Sequence, residues 1–174
     1  LYDAYPAFRA AFDAAALDFD LKQLCFHGPE ETLNQTQYTQ PCMVAYAAGV
    51  TAVLYERGIR PAMAAGLSLG EYSALHAAGV FDAETAIELV AFRGKAMEAA
   101  AAGRESAMMA VLNLDRESLQ AACQEASDAG CVVIANYNCP GQLVIGGEKA
   151  AVEKAAELAK AAGARRCIPL KVSG

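Results

Sequence analysis

Gly66-Leu67-Ser68-Leu69-Gly70, the centre of the run Ala65 to Tyr72, decides how this chain is read. The letters fit Gly-x-Ser-x-Gly, and the setting gives them weight. Upstream, Gly58-Ile59-Arg60-Pro61 is a turn signal, and the apolar run Pro61-Ala62-Met63-Ala64-Ala65 predicts a short strand. Downstream, Tyr72 to Ala78 is rich in helix formers and ends at Gly79. A strand that turns sharply into a helix with serine at the corner is a nucleophile elbow. Such a corner forces the serine out of helical dihedrals into a sparsely populated conformation. The first N–H groups of the helix then face whatever the serine attacks, which is half of an oxyanion hole. Gly66 and Gly70 are expected at close backbone contact, and Leu67 is expected to pack against apolar neighbours. The alternative is a glycine-rich turn between strand and helix in which the serine is incidental.

Working outward, Tyr5 to Leu17 places Phe8, Phe12 and Ala15-Ala16 at helical spacing, with Pro6 suited to the first turn. Leu21 to Phe26 reads as a short apolar segment before the turn His27-Gly28-Pro29. Glu30 to Leu33 reads as one helical turn, and Asn34 to Thr39 as loop. Pro41 is expected to start a long helix that runs to Arg57 and is closed by Gly58. After the elbow, Asp82 is placed to cap a helix reaching Ala101. Gly94 interrupts that helix at a cost of ~1 kcal/mol relative to alanine, which predicts close packing there.

From Ser106 the periodicity changes. Ala107 to Leu112 predicts a strand, and Asp115 caps a helix through Ser127. Cys131 to Ala135 and Gln142 to Ile145 predict strands around a turn at Asn136 to Gly141. Gly146-Gly147 is expected to break the second of these strands. Glu148 opens a helix to Ala162, Gly163 ends it, and Arg165 to Val172 predicts a last strand. This order, β-α-β-β-α-β, is ferredoxin-like, and it reads as a lid beside the elbow. The fold class expected is therefore α/β: a partial hydrolase-like α/β core with a ferredoxin-like subdomain. Residues 1–104 form the core portion, 105–172 the subdomain, and 173–174 begin a return to the core.

Composition narrows the function. Among 174 residues the net charge is −6, which argues against a nucleic-acid partner, since that requires a basic face. Alanine inflates the 55% hydrophobic fraction, and the most apolar stretch, Cys42 to Tyr55, is too short to span a bilayer, so no membrane role is expected. Six scattered cysteines form no C-x-x-C pair and two distant histidines add no zinc pattern, so no metal is expected, and reduced thiols suit a cytoplasmic protein.

Several blocks, taken together and in order, resemble the malonyl-CoA:acyl carrier protein transacylases of bacterial fatty acid synthesis and the related acyltransferase domains of polyketide synthases. They are Thr39-Gln40-Pro41, Gly66 to Leu75 at the elbow, Arg93-Gly94-Lys95-Ala96-Met97, Asn136 to Gln142, and Pro169 to Gly174. The resemblance covers essentially the whole chain. It implies that Ser68 is the acylated nucleophile, that the backbone N–H of Leu69 is an oxyanion donor, and that Arg93 binds the malonyl carboxylate. A guanidinium fork suits a carboxylate bidentately and stays charged, although a helix arginine taken alone is as readily a solvated one. The resemblance also implies malonyl-CoA and an acyl carrier protein as partners, with coenzyme A thioester as substrate and no cofactor.

This chain departs from the family at Leu67, where histidine is usual, and at Glu98, where glutamine is usual. A serine nucleophile needs a general base within ~3 Å. His76 follows Ser68 by two helical turns, roughly 12 Å along the axis, and His27 matches no family motif. The base and the second oxyanion donor are expected outside residues 1–174, with the sequence an internal piece of a transacylase. Two other readings stay open: a serine esterase or thioesterase using water as acceptor, and a non-catalytic fragment.

Overall fold

The structure, a computed structural model, describes residues 1–103 and 105–170. Its described residues divide into two compact units, one formed by residues 1–100 and a second by residues 101–103 and 105–170.

Among its described residues the first unit is built of helices: α1 (Pro6–Phe12), α2 (Leu21–His27), α3 (Glu30–Leu33), α4 (Thr36–Glu56), α5 (Leu69–Ala77) and α6 (Ala83–Ala101). Its core joins Phe8 and Phe12 of α1, Val44 and Ala45 of α4, and Ala86, Ile87 and Val90 of α6. Glycines set how closely these helices meet. A Cβ on Gly49 would lie 2.6 Å from the Phe8 ring, so α4 gives up a side chain to admit the aromatic. A Cβ on Gly94 would lie 2.7 Å from the Gln37 Cα, so α6 meets the backbone of α4 at that point. This is the close packing expected of Gly94.

Capping explains most helix boundaries. Asp82 Oδ1 accepts from the Thr85 N–H at 2.8 Å, starting α6 where expected. Asp20 Oδ1 accepts from the Gln23 N–H at 2.8 Å, so the apolar segment at Leu21 is a capped helix. The first helix stops at Phe12, short of the expected Leu17. The long helix begins at Thr36, so Asn34 to Thr39 is not all loop and Pro41 lies inside the helix. Proline removes one intrahelical N–H there. Two residues earlier, the Thr39 hydroxyl donates to the Gln35 carbonyl at 3.0 Å.

The run Pro61 to Ala65 is not a strand. A strand needs neighbours for its N–H and C=O groups, and among the described residues the first unit contains no other strand. The run is exposed, with Met63 at 91%. No helix among the described residues is long and apolar enough to cross a membrane.

The second unit carries β1 (Ser106–Leu112), α7 (Arg116–Glu125), β2 (Val132–Cys139), β3 (Gln142–Glu148), α8 (Lys149–Ala161) and β4 (Arg166–Leu170). The antiparallel sheet has the order β2-β3-β1-β4, the arrangement expected of the ferredoxin-like succession. Successive side chains alternate across a sheet. Met109 and Val111, paired with Ile145 and Leu143, share one face with Val132, Ile134 and Cys167. Leu119 and Cys123 of α7 and Val152, Ala155 and Ala159 of α8 complete that core.

Asp115 caps α7 through the Ser118 N–H at 2.8 Å. The hairpin is tighter than expected: β2 continues to Cys139 and only Pro140-Gly141 turns. Nor do the glycines break β3. Gly146 and Gly147 lie within it, and a Cβ on Gly147 would stand 2.1 Å from the Cys131 carbonyl oxygen. The pair marks a close backbone approach instead of a strand end. Lys171 to Gly174, including the last two residues of the expected final strand and the expected return to the core, lie outside the described residues.

Candidate active site

Ser68 is the residue immediately before α5, with φ 52° and ψ −108°. Positive φ is uncommon for a side chain larger than hydrogen and costs ~1–3 kcal/mol where surrounding structure enforces it. The cause is local. A Cβ on Gly66 would lie 2.0 Å from the carbonyl carbon and oxygen of Gly70 and 2.4 Å from the Glu71 nitrogen. The chain therefore folds back on itself across the serine, and only glycine fits at its entry. The other flank differs from expectation: a Cβ on Gly70 would meet nothing within 4 Å. Leu67 differs as well, since it stands 58% exposed instead of packing.

At the start of α5 the backbone donors divide. The N–H of Gly70 goes to the Leu67 carbonyl at 2.9 Å, and that of Glu71 to the Ser68 carbonyl at 3.3 Å. The N–H of Leu69 has no acceptor among the described residues. An unclaimed donor beside an exposed hydroxyl at a helix N-terminus suits a developing oxyanion.

Arg93 reaches the same point from α6. Its Nη2 donates to Ser68 Oγ at 2.9 Å, and its Nη1 donates to Gln40 Oε1 at 2.6 Å. Gln40 is 4% exposed and sits on α4 just before Pro41; its Nε2 donates to Met97 Sδ at 3.4 Å. The guanidinium carbon lies 5.8 Å from the Tyr72 ring centroid, and Tyr72 is one turn along α5 from the serine. Three helices thus place a fixed cation against an exposed hydroxyl. The pairing of Gln40 and Tyr72 with Arg93 is not readable along the sequence. Both lie inside the blocks that carry the family resemblance, and the one local signal is a polar side chain set directly against proline on an apolar helix.

Neither histidine is bonded to the serine. The His76 Nδ1 lies 3.1 Å from the Phe81 carbonyl oxygen, where it ties the end of α5 to the next turn, and His27 is exposed in the last turn of α2. No group of three or more His, Cys, Asp or Glu among the described residues is arranged to hold a metal ion.

Residues 1–172 match the family model described as an acyl transferase domain. The chain belongs to the acyl transferase domain family. It is 46% identical over 173 residues to the malonyl CoA-acyl carrier protein transacylase of Haemophilus influenzae, the match covering 97% of this chain and 55% of that protein. The crystal structure of MCAT from Streptococcus pneumoniae superposes with a TM-score of 0.88 at 51% identity, over 99% of this chain and 57% of that one. A malonyl-transacylase solved in complex with its type II PKS acyl-carrier protein superposes at 0.92 with 46% identity, over 99% of this chain and 57% of that one. As an acyl transferase domain the chain spans a little over half the length of these relatives.

Proposed function

We propose that this acyl transferase domain carries the nucleophile and the carboxylate clamp of a malonyl-CoA:acyl carrier protein transacylase. The observation that carries the reading is the 2.9 Å contact between Arg93 Nη2 and Ser68 Oγ, made at a strained corner ahead of a helix. A malonyl group on Ser68 would hold its free carboxylate two carbons beyond the ester carbonyl, within reach of that guanidinium. The relatives' names supply the donor and the acceptor.

Ser68 Oγ attacks the thioester carbonyl carbon while its proton passes to a general base other than His76, whose ring is engaged with Phe81. Charge develops on the carbonyl oxygen, and the free N–H of Leu69 is the donor that would meet it. The intermediate collapses with cleavage of the C–S bond, and coenzyme A leaves as a thiol after taking up the proton. The carrier's phosphopantetheine thiol then attacks the ester and Ser68 leaves with its proton restored. Coenzyme A thioester is a substrate here and no cofactor takes part. Arg93 selects a carboxylate-bearing acyl group, because a neutral one leaves the cation without its partner. A cytoplasmic setting suits this chemistry, and all six cysteines are free.

The test offers labelled malonyl-CoA to the full-length protein with and without carrier protein. Label should appear as an ester on Ser68, vanish in Ser68→Ala, and move to the carrier when it is added. Label released to water at the same rate with or without carrier would identify a hydrolase and overturn the transfer reading.

A further inference from the structure

The Arg93 guanidinium has five N–H donors and no acceptor. Its Nη1 is tethered at 2.6 Å to Gln40, which is buried and held in turn by Met97. Its Nη2 is spent at 2.9 Å on the Ser68 hydroxyl, which is exposed. One prong of the fork is thus fixed inside the helical unit, and the other is engaged where an acyl group would arrive. A hydroxyl whose lone pair accepts from a cationic donor is a restrained nucleophile, because that bond must loosen before the oxygen attacks.

We propose that Arg93 latches Ser68 in the unliganded protein, and that the carboxylate of an incoming acyl group releases it by drawing the guanidinium onto itself. This rests on the transacylase reading and adds a gate to it. A carboxylate is a charged acceptor and forms a stronger bond with Arg93 than a hydroxyl does, so the exchange favours release. A neutral acyl group has nothing to offer Arg93 and meets a serine still engaged. Selection then acts on the rate of attack as well as on binding. The tether at Gln40 lets the guanidinium change partner on one side without leaving the site.

The gate is tested with a small uncharged reagent, methanesulfonyl fluoride, on the full-length protein, following sulfonylation of Ser68 by mass spectrometry. Free malonate should speed labelling about tenfold relative to chloride at equal ionic strength, equivalent to about 1.4 kcal/mol. Arg93→Ala should be labelled at the fast rate without malonate and should not respond to it. Slower labelling in either arm, or none of the expected acceleration, would mean that Arg93 activates or ignores the serine, and the latch would be discarded. The transacylase reading fails separately, if malonyl-CoA leaves no ester on Ser68.

Discussion

Gly94→Ala should destabilise the protein, although alanine is the better helix former. The added Cβ would stand 2.7 Å from the Gln37 Cα and 2.8 Å from the Thr36 carbonyl oxygen, both backbone atoms that cannot rotate away. Ordinary contact begins near 3.4 Å, so α4 and α6 must part by about 0.7 Å (3.4 − 2.7). That parting strains a core in which Val44 and Ala45 pack with Ala86, Ile87 and Val90. Overpacking of this kind costs ~1–3 kcal/mol, and two close backbone contacts put it toward the upper end. Helix propensity returns ~1 kcal/mol, leaving a net loss of about 1–2 kcal/mol. The same shift would stretch the 2.6 Å bond between Gln40 and Arg93 on the neighbouring residue. Thermal melts measure the first effect, with Gly70→Ala as the control, since its Cβ would enter open space. Gly94→Ala should melt several degrees lower and Gly70→Ala should melt no lower than the parent. If Gly94→Ala melts as high as the control, the close crossing of α4 and α6 is refuted.

Gln40→Leu should leave Arg93 Nη1 unpaired and lower kcat/KM for malonyl-CoA in the full-length protein by ~10–100-fold, from the ~1.5–3 kcal/mol carried by a hydrogen bond to a charged group; a change under about threefold would remove Gln40 from the site. Leu67→His, at an exposed position, should shift stability by no more than ~0.5 kcal/mol, checked by urea titration. The neighbouring Cys42 thiol draws the Cys25 pKa down from the usual thiol value while its own is pushed up. Cys42→Ala should therefore raise the pH at which iodoacetamide alkylates Cys25, and an unchanged pH profile would rule out the thiol pair. The Ser118 N–H holds the Asp115 carboxyl below its ordinary value, so the cap stabilises the fold above that value and is lost as pH falls through the lowered folded one; Asp115→Ala should lower stability near neutrality and progressively less as the solution is acidified, by chemical denaturation across pH.

Local signals carried far along this chain. Asp82 and Asp115 marked helix starts because a carboxylate that takes an N–H two or three residues on is specified within one turn. The ferredoxin-like order emerged because strand and helix periods alternate cleanly after Ser106. The strained corner at Ser68 was legible from Gly66, since the close approach there lies within five residues. What escaped was set by contacts between distant segments. Pro61 to Ala65 has a strand's composition, but pairing partners decide strands and composition alone cannot supply them. Gln40 meets Arg93 across 53 residues, and no window along the sequence joins them. Gly70 departs from expectation because the motif treats both flanking glycines alike, whereas the backbone crowds only Gly66.

The dihedrals of Ser68 carry an evolutionary consequence. Glycine at this position would adopt φ 52° without a Cβ penalty, so the substitution that erases the hydroxyl also relaxes the corner. A lineage that retains serine here keeps a strained corner for the sake of its hydroxyl, and a glycine at this corner in a descendant would mark the point where selection for its chemistry ended.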